Sequence, residues 1–276
     1  MGAGTPVIAG RRRSAAGAML HVLERAAVEA GRAVIDVYNV GGDVRYKADA
    51  SPVTDADESA ERIILRHLKG AYPDIPVVAE EAASAGLVPD IDGRAFFLVD
   101  PLDGTKEFVG RNHDFTVNIA LIEDGAPTFG VVYAPALGIL YAAERNRARK
   151  SVVSGQTDIG APTIIGCRQR GDRIVALASR SHNSAETIAY LAEHGVTDYE
   201  SVGSSLKFCL LAEGLADIYP RLSRTMEWDT AAGDAVLRAA GGETLTMDGN
   251  PLFYGKRNQV YDVDFANPYF VSRGRA

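Results

Sequence analysis

Phe96-Phe97-Leu98-Val99-Asp100-Pro101-Leu102-Asp103-Gly104-Thr105 is the stretch on which the fold turns. Four consecutive aromatic and branched residues read as a short buried strand. The run ends in a carboxylate, and a second follows after Pro101-Leu102. Pro, Asp and Gly are turn formers, so an ordinary turn would explain part of the pattern. It leaves Gly104 and Thr105 unexplained. These can open a helix whose free N–H groups face an anion, and Thr105 adds a hydroxyl that could position a water. Strand ends of α/β sheets are where ligands usually sit. Carboxylates gathered there repel one another unless cations neutralise them.

Working outward, Glu80 and Glu81 end a short buried strand, Val77-Val78-Ala79, and Glu81 reads as a solvated loop residue. A third acidic piece is Glu227-Trp228-Asp229-Thr230-Ala231-Ala232-Gly233, which holds the only tryptophan. Asp229 is placed to cap a helix, and the small residues after it would let that helix pack closely. Thr54 with Asp57 approaches a capping box, while Asp49 follows Lys47 in a loop. Such an all-oxygen set suits Mg2+, which takes few protein ligands and shares the remainder with water and phosphate.

Leu20, Leu23, Ala27, Ala30, Val34 and Val37 recur at helical spacing, and a second helix runs from near Thr54 to Pro73. Phe115–Ile122, Phe129–Tyr133 and Ile139–Ala143 read as an antiparallel meander. The second half alternates: strand Ile174–Ala178, helix Ala185–Glu193, helix Leu206–Leu211, strand Ala216–Tyr219, helix Thr230–Ala240. Residues 145–158 are polar with little periodicity and read as a change of layer. The expected fold is a layered α+β and α/β sandwich in the order αβαβα. Its expected divisions are a flexible tail at 1–14, an α+β half with the metal site at 15–150, and an α/β half with substrate-binding elements at 151–276.

The bulk numbers narrow the function. A formal charge of -7 over 276 residues argues against a nucleic-acid polymer as partner. Two distant cysteines make neither a disulfide framework nor a thiolate metal site, and five scattered histidines make zinc a poor candidate. Arg11-Arg12-Arg13 precedes apolar residues, but Glu24 and Glu29 soon interrupt them. No stretch approaches a membrane span. A cytoplasmic protein is expected, with membrane association at most peripheral, at the inner membrane.

Together these segments resemble the inositol monophosphatase superfamily of lithium-sensitive, magnesium-dependent phosphatases, from about Ala16 to the last residues. The resemblance implies a sugar-phosphatase type fold and two or three Mg2+ ions per site. It implies Glu80, Asp100, the carbonyl of Leu102, Asp103 and Asp229 as metal ligands, with Thr105 and either Asp49 or Asp57 activating the water. Lys47 to Thr54, Gly104-Thr105-Lys106-Glu107-Phe108, Phe115 to Ala120, and Tyr219-Pro220-Arg221 before Thr225 to Asp229 are similar to the bacterial 3'(2'),5'-bisphosphate nucleotidase branch. Inositol-specific members tend to carry an acid shortly before the Trp-Asp pair. Arg221 and Arg224 stand here instead, and a cation suits a second phosphate better than a polyol.

Ser179-Arg180-Ser181-His182 resembles the loop that meets the nucleoside in that branch. Gly203-Ser204-Ser205, before the helix carrying Lys207, could cradle phosphate or ribose oxygens. The implied substrate is a small phosphate ester, adenosine 3',5'-bisphosphate. The alternatives are an inositol monophosphatase or sugar bisphosphatase, and, from another class, a non-catalytic phosphometabolite-binding protein. A homodimer is what some relatives suggest.

Overall fold

The computed structural model describes residues 6–41, 44–46, 52–155, 157–196 and 198–275, so Asp49 lies outside the described residues. Helix α1 (Pro6–Val40) buries Leu20, Leu23, Ala27, Ala30 and Val34 on one stripe, as the repeat predicts. It runs back to Pro6, into the stretch expected as a tail. Ala and Arg, both strong helix formers, dominate residues 9–18. An antiparallel ribbon of β1 (Val44–Tyr46) and β2 (Pro52–Thr54) leads into α2 (Asp55–Ala71). Thr54 and Asp57 complete a full capping box at the start of α2.

The first sheet is built from β3 (Val77–Ala79), β4 (Phe96–Asp103), β5 (Thr116–Glu123), β6 (Ala126–Ala134), β7 (Ile139–Glu144), β8 (Arg147–Ser154), β9 (Asp158–Ile159) and β10 (Thr163–Ile165). Its order is β10-β8-β7-β6-β5-β4-β3, with β9 paired beside β8. Only β3 and β4 run parallel among these pairs. Two short helices, α3 (Glu80–Ser84) and α4 (Thr105–Val109), follow β3 and β4.

The segment read as a change of layer is therefore strand β8, and the sheet continues past residue 150 to Ile165. Its polarity misled the reading because the strand is fastened by ion pairs. Arg149 binds Glu24 of α1 at 2.7 Å, and Lys150 binds Glu213. Long side chains of this kind cover apolar surface while their heads find partners.

The second sheet has the order β12-β11-β13-β15-β14. Its strands are β11 (Ala176–Ser179), β12 (Tyr199–Val202), β13 (Ile218–Arg221), β14 (Glu243–Thr246) and β15 (Phe270–Arg273). Helices α5 (Ala185–Glu193), α6 (Leu206–Ala212) and α7 (Ala231–Ala239) complete the chain. α1 and α2 pack on one face of the first sheet, α6 and α7 lie between the two sheets, and α5 packs against β13. The layers are αβαβα, as expected.

Strand β4 shows why its run is apolar throughout. Phe97 and Val99 enter the core under α1 and α2, whereas Phe96 and Leu98 enter the core shared with α6 and α7. Alternate side chains serve opposite layers. Small residues permit the close approach of α7: a Cβ on Gly130 of β6 would stand 2.5 Å from the Ala235 Cβ and 2.6 Å from the Ala232 carbonyl.

Candidate active site

Asp100 pairs with Asn118 across the β4–β5 ladder, and Asp103 pairs with Thr116, so β4 carries one extra residue between them. In an unbroken strand, residues three apart point to opposite faces. The bulge at Pro101-Leu102 returns Asp103 to the face of Asp100. Proline is tolerated there because a bulge releases a ladder hydrogen bond. The turn-like residues of this motif therefore have a structural task that brings two carboxylates together.

A pocket of about 370 Å3 opens at these strand ends, lined by Glu80, Asp100, Leu102, Asp103 and Asp229. Lys106, His182, Lys207 and Arg221 line the same pocket, with Gly104, Thr105, Ser179 and Ser204, and Lys207 and Arg221 are near enough to pull on Asp103 and Asp229. The acidic cluster is electrostatically strained. Burial, and then Glu80, Asp103 and Asp229, hold the Asp100 carboxyl well above its usual range. Burial, Asp103 and Glu80 push Asp229 up to about 8. Burial raises Asp103 as well, against the pull of Lys207 and Ser205.

Asp229 is not the helix cap that its position suggests. Thr230 is the first flanking residue of α7, and the Asp229 carboxylate turns back to accept from the Met226 N–H at 2.8 Å. That turn directs Asp229 toward the other acids. Asn267 ties the segment down by donating to the Met226 carbonyl at 2.8 Å and Thr230 Oγ1 at 3.0 Å.

Thr105 stands beside the acids, its hydroxyl 3.1 Å from the Leu102 carbonyl and 3.4 Å from Asp57 Oδ1. The other oxygen of Asp57 accepts from the Thr54 N–H at 2.7 Å and Thr54 Oγ1 at 2.8 Å. Burial outweighs those bonds and raises Asp57 to about 6. Gly104 holds a left-handed φ of 91°, and a Cβ there would come within 3.0 Å of the Asp114 carbonyl.

Among the basic lining residues, Arg221 is buried, and its Nη2 donates to the Arg224 carbonyl at 3.0 Å while its Nε finds no partner. Lys207 is buried too, donating to the Ser204 carbonyl at 2.6 Å, and burial lowers it to about 8. His182 Nε2 faces Lys106 Nζ at 2.9 Å. Desolvation and then Arg221, Lys106 and Lys207 lower His182 to about 4, so the ring is neutral near pH 7. A cation that donates to Nε2 assigns the ring proton to Nδ1.

Four expected residues do not line the pocket. Arg180 pairs with Asp114 at 2.7 Å, and Ser181 donates to Glu107 at 2.5 Å. The Gly203 N–H binds Asp114 Oδ2 at 3.1 Å, and Ser205 lies beneath Asp103. Arg224 turns outward to Asp262 at 3.2 Å. Lys106, Glu107, Asp114 and Asn118 were absent from the expected set. Lys106 and Glu107 sit directly after the Asp-Pro-Leu-Asp-Gly-Thr motif, the one signal that marked them.

The acidic cluster fits a divalent cation by its donor chemistry: four carboxylates whose charges oppose one another, with a backbone carbonyl beside them. Among the described residues, no three His, Cys, Asp or Glu side chains stand closed around a cation position. Asp100 is instead hydrogen-bonded to Glu80. An open set of this kind suits an ion that shares its ligands with water and phosphate.

Comparison with known proteins bears on the family of the chain. A model of the inositol monophosphatase family matches residues 17–267. The 3'(2'),5'-bisphosphate nucleotidase CysQ of Escherichia coli K12 is 44% identical over 254 residues, covering 91% of this chain and 98% of that protein. CysQ of Buchnera aphidicola is 41% identical, covering 88% and 89%. The crystal structure of CysQ from Bacteroides thetaiotaomicron superposes with a TM-score of 0.75 at 37% identity, covering 94% of this chain and 98% of that one. An inositol monophosphatase from Anabaena shares the fold, with a TM-score of 0.69 at 21% identity over 94% and 91% of the chains.

Proposed function

The chain belongs to the inositol monophosphatase family and is a phosphatase, and from that premise we propose that it hydrolyses one phosphate of a 3'(2'),5'-bisphosphate nucleotide. The substrate is adenosine 3',5'-bisphosphate, and the products are AMP and inorganic phosphate. One pocket carries this reading, because it holds a cluster of carboxylates together with buried Lys207 and buried Arg221, whose Nε has no partner. A molecule with two phosphates satisfies both sets of groups, one phosphate at the carboxylate cluster and one at the buried cations. Inositol monophosphate has no second anion to offer Arg221. A non-catalytic binder has no use for the whole acidic set.

Glu80, Asp100, Asp103, Asp229 and the Leu102 carbonyl would hold Mg2+. When bound, Mg2+ polarises the phosphoryl group and lowers the pKa of a water. Thr105 orients the attacking water, and Asp57, reached through the Thr105 hydroxyl, accepts its proton. Asp57 suits that task because burial has brought it to about 6, close to working pH. The free N–H groups at the start of α4, at Gly104 and Thr105, steady charge on the phosphoryl oxygens. Arg221 and Lys207 grip the second phosphate, with Ser179, Ser204 and His182 along the nucleoside.

Two unpaired, buried cysteines accord with a reducing, cytoplasmic setting. Incubation of purified protein with adenosine 3',5'-bisphosphate, with Mg2+ or with excess chelator, tests the proposal. Mg2+-dependent release of one phosphate, leaving 5'-AMP and inhibited by lithium, is expected. Release in chelator, or 3'-AMP as product, contradicts it.

A further inference from the structure

Two N–H donors converge on one oxygen of Asp103, and a hydroxyl stands beside them. The Ser205 N–H donates to Oδ2 at 2.6 Å, the Ser205 hydroxyl lies 3.0 Å from it, and Asn118 Nδ2 lies 3.3 Å from it. Asn118 and Ser205 also bind each other at 2.9 Å, and the Ser205 hydroxyl reaches the Asp229 carbonyl at 2.6 Å. Asn118 and Ser205 are both buried, so water cannot replace either partner readily. Asn118 comes from β5 of the first sheet and Ser205 from the start of α6, so the joint also spans the two halves of the chain. None of these donors engages Oδ1, and Asp103 lines the pocket.

We propose that Asn118 and Ser205 are positioning residues that restrict Asp103 to one available oxygen and thereby favour Mg2+ over Ca2+. The inference rests on Asp103 being a metal ligand, as proposed above. Mg2+ takes one oxygen from each of a few carboxylates in a strict octahedron, whereas Ca2+ accepts more oxygens and often takes both from one carboxylate. An oxygen already engaged by an amide and a backbone N–H, with the Ser205 hydroxyl fixed beside it by Asn118 and the Asp229 carbonyl, is withheld from a larger ion. Asn118 is distinct from the ligands themselves: it acts only through Asp103 and Ser205. Outer-shell partners of this kind typically contribute about 10–100-fold in metal affinity.

Titration calorimetry of the metal-free protein with Mg2+ and, separately, Ca2+ tests this without reference to phosphate release. Asn118→Ser and Ser205→Ala should each weaken Mg2+ binding by about 10–100-fold, while Ca2+ binding weakens less or tightens. The ratio of the two dissociation constants then moves toward Ca2+. A purely structural role would weaken both ions together and leave the ratio unchanged, which overturns the proposal, as does an unaltered Mg2+ affinity. Ser205→Ala keeps the backbone N–H bond and removes only a hydroxyl, so it provides the reading should Asn118→Ser fail to fold. Absence of phosphatase activity in the wild type toward every substrate, with the selectivity shift intact, would defeat the proposed function and leave this inference standing.

Discussion

Thr105 Oγ1 lies 3.4 Å from Asp57 Oδ1, across the gap between the start of α4 and the first turn of α2. Asp57 caps its own helix with one oxygen and reaches Thr105 with the other. Helix capping and proton transfer thus occupy different oxygens of one carboxylate. Asp57→Asn should lower kcat by about 10²–10⁴-fold, the usual contribution of general-base catalysis. Because burial raises Asp57 to about 6, wild-type activity should climb with pH through that value as the carboxyl loses its proton. The pH–rate profile of Asp57→Asn should lack that limb. An unchanged limb would remove Asp57 from the mechanism.

Arg221 and Arg224 should separate in their effects. Arg221 lines the pocket with an unpartnered Nε, while Arg224 is exposed and bound to Asp262. Hydrogen bonds to charged groups contribute about 1.5–3 kcal/mol. Arg221→Met should therefore cost about 10–100-fold in kcat/KM for the bisphosphate, mostly through KM, and leave a simple monophosphate ester little affected. Arg224→Met should change either substrate by less than about threefold, a surface ion pair being a weak contributor. Equal losses in the two variants would place the second phosphate elsewhere.

The close contact of α7 with the first sheet predicts a stability defect. Gly130→Ala would drive a methyl group against Ala232 and Ala235, which are held by the α7 backbone. Overpacking of this kind costs about 1–3 kcal/mol. A urea midpoint equal to wild type would show that the layer spacing is looser than described.

Glu61 supplies a pH signature outside the pocket. It accepts from the Glu81 N–H at 2.8 Å and the Ala82 N–H at 3.0 Å, yet burial raises its carboxyl from 4.5 to about 7. A folded-state pKa above the unfolded one means that the folded protein holds the proton more tightly. Its contribution to stability is complete below pH 4.5 and disappears as pH rises through about 7. Replacing it, as in Glu61→Gln, should flatten the decline of unfolding free energy over that window, measured by urea titration against wild type. Parallel curves for the two proteins would contradict the burial assignment.

Much of this structure was legible in the sequence, for identifiable reasons. Phe96 to Val99 are apolar throughout because the strand serves two cores, and Leu20 to Val34 repeat helically because α1 covers one face of the sheet. The acids after β3 and β4 announced the pocket because nothing in packing calls for buried carboxylates at strand ends. Strand β8 was hidden because Arg149 and Lys150 are paired with acids distant in the chain, a relationship no local pattern carries. For the same reason Arg180 and Ser181 resembled ligand contacts, although Asp114 and Glu107 engage them. The placement of Asp229 depended on a turn closed by the Met226 N–H, which its favourable cap position concealed. Asn118 looked like an ordinary strand residue, and only its register opposite Asp100 brings it beneath the site.

The most direct test of the central claim is a rate comparison at millimolar Mg2+ between adenosine 3',5'-bisphosphate and inositol 1-phosphate. A pocket with two buried cations should give at least about 10²-fold higher kcat/KM for the bisphosphate, the value of about 2.7 kcal/mol of added binding at Arg221 and Lys207. An equal or higher kcat/KM for inositol 1-phosphate would contradict the account of Arg221 and Lys207 as second-phosphate contacts, whatever the metal dependence.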